Sequence, residues 1–316
     1  MGEERRERAG VGYGVAAYAI WGLFPLYWPL LRPAGAVEML AHRVVWSLLV
    51  VVAILAVRRG WGQLPSLGAR RLGLLTLAAV LIAVNWGVYI YGVTSGNVVE
   101  TSLGYFINPL VTIGLGVLVL GERLRAAQRA AVAVAAVAVV VLTVDYGRPP
   151  WIALVLAFSF AGYGLLKKQV NVGAVESLAV ETAAVFLPAL AYLLVLAVRG
   201  TGTFTTEGPG HALLLVGAGV VTAVPLLCFG AAATRVPLTV IGLLQYLTPV
   251  MQFLLGVLVF REPMPASRVV GFALVWAALV MLTVDALTRH RPGARTPAAT
   301  SPDVRPSVIS RTDSSR

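Results

Sequence analysis

Ten stretches of about 20 mostly apolar residues run through this chain, each followed by a short link rich in Arg, Gly or Pro. They cover 11–31, 36–57, 72–92, 99–120, 128–146, 150–168, 175–198, 211–233, 238–260 and 267–287. As helices rising about 1.5 Å per residue, such stretches cross a hydrocarbon layer of about 30 Å. The pattern predicts an all-α integral membrane protein with ten transmembrane helices. The links are too short to hold a core, so no soluble domain is expected. Residues 1–10 form a charged N-terminal cap with Arg5, Arg6 and Arg8, and no cleavage site of small residues follows, so no removable signal peptide is expected. Residues 288–316 are rich in Arg, Pro, Ser and Thr and predict a disordered tail.

The apolar pattern repeats. Ser102–Glu122 (SLGYFINPLVTIGLGVLVLGE) returns as Gly242–Glu262 (GLLQYLTPVMQFLLGVLVFRE). Pro109 meets Pro249, Leu115–Val119 meets Leu255–Val259, and Glu122 meets Glu262. The register continues until Leu142-Thr143-Val144-Asp145 meets Leu282-Thr283-Val284-Asp285, with about a third of the aligned positions identical. The first halves match more weakly, through Ala36–Ala41 against Ala174–Ala179 and Gly22 against Gly162. The chain therefore reads as one five-helix unit used twice, at 11–146 and 150–287. Five is odd, so the second copy enters the membrane from the opposite face. Such inverted five-helix repeats are an architecture of secondary transporters, with the substrate near the midplane between the copies.

Composition agrees. The chain has 316 residues, 58% hydrophobic and only 12% charged. A net charge of +11 would suggest nucleic acid in a soluble protein. Here the Arg residues lie in links and tails, so orientation and anionic lipid explain them, and no nucleic-acid partner is expected. With the tail's six Arg left out, Lys and Arg divide 13 against 5 between the two faces, which places both termini in the cytoplasm of an inner (cell) membrane. The single Cys228 excludes an intrachain disulfide and a cysteine metal site.

The candidate chemistry is the polar minority inside the spans, because an ionisable group at the centre of a span costs about 2.5–3.5 kcal/mol or more on insertion scales. Thr101, Tyr105, Asn108 and Thr112 step by 4, 3 and 4 and share a helix face; Gln245, Thr248 and Gln252 are the later counterparts of the last three. Matched stripes beside a proline suit two walls of one cavity, and equally suit interhelical hydrogen bonds. Glu38, His42 and Trp46 step by four, with Arg43 alongside: a group able to bind an anion, relay a proton or lock helices together. Asn85, Tyr89 and Gly92 share a face, as do Tyr18, Trp21, Gly22 and Pro25. Trp21, Tyr89, Tyr105 and Tyr246 are candidate aromatic walls. Glu181 is the second-copy counterpart of His42 and Arg43, so opposite charges are expected to meet across the repeat axis. Glu122, Glu262, Asp145 and Asp285 close spans and read as boundary charges or caps.

No G-x-x-x-x-G-K-[ST], H-E-x-x-H or G-x-S-x-G occurs. ATP-driven pumping is therefore not expected, and neither is an enzyme, a metal or a cofactor. A membrane-embedded enzyme or sensor, or a passive channel using the same cavity, remains the alternative.

With these residues in view, the chain resembles the EamA branch of the drug/metabolite transporter superfamily, and within it the RarD-type subfamily named for chloramphenicol sensitivity. The resemblance spans about 11–287 and is carried by YAIWGLFPLYW (18–28), VEMLAHRVVWS (37–47), NWGVYIYGVTSGNVVETSLGYFINPL (85–110), PWIALVLAFSFAGYGLLKK (150–168), PLLCFGAAATRVPLTVIGLLQYLTP (225–249) and QFLLGVLVFREPM (252–264). It implies a permease, an exporter working without ATP, whose partners are a small-molecule substrate and the bilayer; the substrate and a homodimer are left open.

Overall fold

The structure, a computed structural model, describes residues 2–58, 68–120, 126–170, 174–233, 235–236 and 244–289. Among these every regular element is helical. Backbone N–H and C=O groups find no water inside a bilayer, and a helix satisfies them within one segment.

The first apolar stretch is broken. Helix α1 (Gly2–Gly22) already contains the charged residues from Glu3 on. It then bends by 40° into α2 (Phe24–Tyr27) and a 3₁₀ turn, Trp28–Leu31. Pro25 and Pro29 each sit in the first turn of these short pieces, where a missing N–H costs least. Then follow α3 (Ala36–Arg58), α4 (Ala69–Thr94), α5 (Val98–Leu120) and α6 (Ala126–Tyr146). The second half contains α7 (Trp151–Val170), α8 (Ala174–Arg199), the single turn α9 (Thr203–Thr206) and α10 (Pro209–Ala233). It closes with α11 (Leu247–Leu254), a π-helical turn over Leu255–Val259, and α12 (Ala266–Arg289). Among the described residues seven helices are long and apolar enough to cross a membrane, or eight with the bent first pair counted as one span. The apolar helices at 151–167 and 247–259 are shorter. The expected ninth span is thus described only from residue 244, and Glu122 and the tail beyond Arg289 lie outside the described residues.

The links are tight. Gly96 (φ 75°) takes the left-handed conformation after α4, letting Asn97 N–H reach back to Gly92 C=O at 2.8 Å and turn the chain into α5. Val57, Val144 and Val198 are 86%, 77% and 89% exposed, a surface suited to lipid.

The main packing partners are α5 with α7, α6 with α12, α4 with α7 and α8, α3 with α8 and α10, and α1 with α10 and α11. Small residues allow the close approaches. A Cβ on Gly104 of α5 would stand 2.9 Å from Ala153 C=O on α7, and one on Gly271 of α12 only 2.5 Å from Leu142 on α6. One core cluster joins α5, α6 and α12 through Phe106, Leu142 and Phe272. A second surrounds Trp28, Met39, Tyr89 and Leu156, and the candidate site borders it.

Candidate functional site

Arg43 lies two turns into α3 and is 3% exposed. Its guanidinium stands over three aromatic rings, with its centre 3.8 Å from Trp86, 5.4 Å from Trp28 and 5.6 Å from Phe24. Tyr89 and Tyr105 lie within electrostatic reach. Arg43 Nε is buried without a hydrogen-bond partner, and among the described residues no carboxylate comes within ion-pair distance of the group. Cation–π contacts offset part of the cost of burying this charge. They hold the faces of the guanidinium and do not supply acceptors for the N–H groups along its edge.

Beside Arg43 runs a chain of polar side chains from four helices. On α4, Asn85 donates to Leu156 C=O at 2.9 Å and to Ser159 Oγ at 3.0 Å, both on α7. Tyr105 on α5 donates to Asn85 Oδ1 at 3.3 Å. One turn along α4, the Tyr89 hydroxyl accepts from Gln252 Nε2 of α11 at 3.0 Å, and its ring lies 5.8 Å from that of Tyr105. The same Gln252 nitrogen donates to Trp21 C=O at 3.2 Å, while Thr248 donates to Tyr18 C=O at 2.7 Å. A backbone carbonyl only accepts, so Gln252 must turn its amide nitrogen that way. Its Oε1 is left buried without a partner. Helix α1, α4, α5, α7 and α11 thus converge beside Arg43 of α3, bringing together Trp21, Arg43, Asn85, Tyr89, Tyr105 and Gln252.

Other expected residues sit elsewhere. Asn108 Oδ1 is buried without a partner, while Thr101 and Thr112 bond to carbonyls of their own helix. The described part of the ninth span begins in a turn at Gln245 and Tyr246. Tyr246 packs on the α5–α6–α12 cluster and lines a lateral groove of about 270 Å³ with Phe106, Trp276 and Thr283. Glu38 does not pair with His42. It accepts from the N–H and hydroxyl of Thr203, at 2.7 and 3.0 Å, and so ties α3 to the short α9. His211 contacts the same hydroxyl at 2.9 Å. His42 Nδ1 accepts from Trp46 Nε1 at 3.2 Å and the ring stacks 5.0 Å from Phe204, leaving Nε2 buried without a partner.

Glu181 does not meet His42 or Arg43 in an ion pair. It pairs with Lys167 of α7 at 2.8 Å, and accepts from Tyr163 at 3.0 Å and Ser177 at 2.6 Å. A void of about 10 Å³ beside it is lined by Val44 and Trp86, so the indole that carries Arg43 also borders the Glu181 cluster. A lysine next door with a flexible stem reaches the carboxylate more readily than an arginine already held by three rings.

Several anchors had no signal in the periodicity. Glu100 takes a bidentate bond from Arg148, 2.8 Å at the shorter contact, and accepts from Ile152 N–H at 3.0 Å. Hydrogen bonding to Glu100 raises the pKa of Arg148. Asp145 accepts from Arg268 Nε at 2.8 Å and from Ser267. Glu262 accepts from the N–H groups of Val98 and Val99 and so caps α5, a helix 160 residues away in sequence rather than the next one. Burial pushes the Glu262 pKa up, against those two bonds. Glu100 and Arg148 were readable only as isolated charges near span ends. Among the described residues no group of three or more His, Cys, Asp or Glu could hold a metal.

Comparison with known proteins fits this picture. Residues 8–144 and 149–284 each match the EamA-like transporter family. Protein RarD of Streptomyces exfoliatus is 62% identical over 303 residues, covering 95% of this chain and 96% of its own. The uncharacterized transporter YojE of Bacillus subtilis (strain 168) is 43% identical over 283 residues, 87% of this chain and 94% of its own. A solved crystal structure shares the fold at 18% identity and a TM-score of 0.57, covering 88% of this chain and 98% of that one.

Proposed function

This chain belongs to the EamA-like transporter family, in its RarD-type branch, and on that premise we propose that it is a secondary transporter. It would carry a small metabolite or drug across the inner membrane by alternating access between two inverted five-helix repeats. Export is the direction the resemblance implies.

The observation that carries this reading is the convergence of Trp21, Arg43, Asn85, Tyr89, Tyr105 and Gln252 from spans of both halves around one buried cation. Polar groups are costly at that depth, and a carrier gains from them because they replace the substrate's water shell. The duplication is supported by the packing. Exchanging the halves in sequence order pairs α1 with α7, α3 with α8, α4 with α10, α5 with α11 and α6 with α12. Under that exchange the contact α5–α7 becomes α11–α1, α4–α7 becomes α10–α1, and α4–α8 becomes α10–α3. All of these contacts occur. An enzyme gains nothing from access to both faces.

The test is flux through purified protein in liposomes, using chloramphenicol, amino acids and aromatic metabolites, with and without a pH gradient. Saturable uptake with counterflow supports the carrier. Flux linear in concentration indicates a channel, and chemical change of the compound an enzyme; either outcome sinks the proposal.

A further inference from the structure

The substrate class can be read from the charges in the spans. This step rests on the transporter proposal and deepens it. Each carboxylate buried among the described spans is already engaged: Glu38 by Thr203, Glu100 by Arg148 and Ile152, Asp145 by Arg268 and Ser267, Glu181 by Lys167, Tyr163 and Ser177. Glu262 is taken by the start of α5. Among the described residues Arg43 alone of the buried cations has no acidic partner, though it is 3% exposed and its Nε is unbonded. Lys167 and Arg268, less buried, both have one. A guanidinium cannot shed its proton to escape the cost of burial, so it calls for an anion.

The surroundings define that anion further. Trp86, Trp28 and Phe24 occupy the guanidinium's neighbourhood as ring contacts, which leaves its edge N–H groups for a planar, two-oxygen acceptor. Next to it, Tyr89 connects to Gln252, whose Oε1 is a buried acceptor still lacking a donor. The rest of the wall is Trp21, Tyr89 and Tyr105, flat and largely apolar. We propose that the carried molecule is a small organic monocarboxylate with an apolar body and a hydrogen-bond donor near the carboxylate: the carboxylate meets Arg43, the donor meets Gln252 Oε1, and the body lies against the tyrosines. The carboxylate would give Arg43 the counter-charge that it lacks among the described residues.

The probe pair is 3-phenyllactate and 3-phenylpropane-1,2-diol, which share a ring and a hydroxyl and differ in the carboxylate. Binding to the full chain in lipid nanodiscs is read by quenching of tryptophan fluorescence, and flux is read in liposomes. The acid is expected to bind about tenfold or more tightly than the diol, the size of a charge-assisted pair. Arg43→Gln removes that preference and binds both alike. Arg43→Lys, which keeps the charge and loses the fork, retains part of it. Equal binding of acid and diol by the unaltered chain overturns the proposal whether or not the variants fold. So does a preference that survives in a folded Arg43→Gln protein. If neutral compounds give saturable flux while the acid is ignored, the carrier reading stands and the substrate class falls. If the acid binds through Arg43 but no compound crosses, the class stands and the carrier reading falls.

Discussion

At the residue scale, two cations in the spans meet the cost of burial in different ways. Lys167 has a carboxylate 2.8 Å away, while Arg43 has three rings. The Lys167–Glu181 pair adds little as a pair, but leaving one partner alone is costly. Glu181 is 2% exposed and bonded on all sides, so Lys167→Met strands a charge and is expected to destabilise by about 3 kcal/mol. Lys167→Met with Glu181→Met removes both charges and is expected to be neutral or stabilising. Thermal unfolding in nanodiscs checks the order; a double variant weaker than the single one refutes it. That Arg43 and Glu181 would need partners was legible from their position within apolar runs. Which partner each takes was not, because charge along a sequence does not give the rotation of α7 against α8. Asn85, Tyr89, Tyr105 and Gln252 were legible because helical steps of three and four put each on a polar face. Thr101 and Thr112 carry the same periodic signal, yet they bond to their own backbone, a choice made by the hydroxyl's rotamer.

At the element scale, the departures from regular helix fall on two spans that pack together. The first span breaks between Gly22 and Phe24, and the span after Gln245 relaxes into a π turn over Leu255–Val259. Pro25, Pro29 and Pro249 were visible in the sequence; the wider π turn was not, because no residue type requires it. Arg261 then adopts a left-handed conformation, φ 53°, which places Glu262 under the start of α5. Glu262→Ala leaves the Val98 and Val99 N–H groups without their acceptor and is expected to cost about 1–2 kcal/mol. Faster hydrogen exchange over the first turn of α5 is the local readout, and an unchanged turn would show the cap to be idle. The pH dependence has a definite sign. Burial raises the Glu262 pKa, so the folded protein takes up this proton at a higher pH than the unfolded chain. The stability linked to that proton is fully present below the unfolded carboxylate's pKa and is lost as pH rises through the folded one. Compared with Glu262→Gln, the unaltered chain is therefore expected to gain stability on acidification.

At the scale of the whole molecule, the duplication could be read directly, since it is a property of the string. The crossing of helices between the halves could not, because any of several packings buries the same apolar faces. Among the described residues, Lys167–Glu181 ties one end and a group of ion pairs and caps ties the other. Arg148–Glu100, Arg268–Asp145, Glu262 on α5, Arg32 on Thr94 C=O and Glu38 on Thr203 all join links that a ten-span chain with cytoplasmic termini puts outside. A carrier must close one end while the other opens, and an alternating cycle requires these bonds to break in turn. These bonds are expected to hold the outer end closed in this conformation. Ser159, beside Asn85 in the polar chain, reports on it. In a Cys228→Ser background, Ser159→Cys is expected to resist a membrane-impermeant maleimide added outside intact cells. Adding Arg148→Gln and Glu262→Ala removes four of the bonds holding the start of α5 at that end and shifts the population toward opening, so labelling should rise severalfold. If labelling from outside is already fast before those changes, the closed end is the other one. If it stays slow after them, the ionic links at α5 hold the fold together without gating the path to the site.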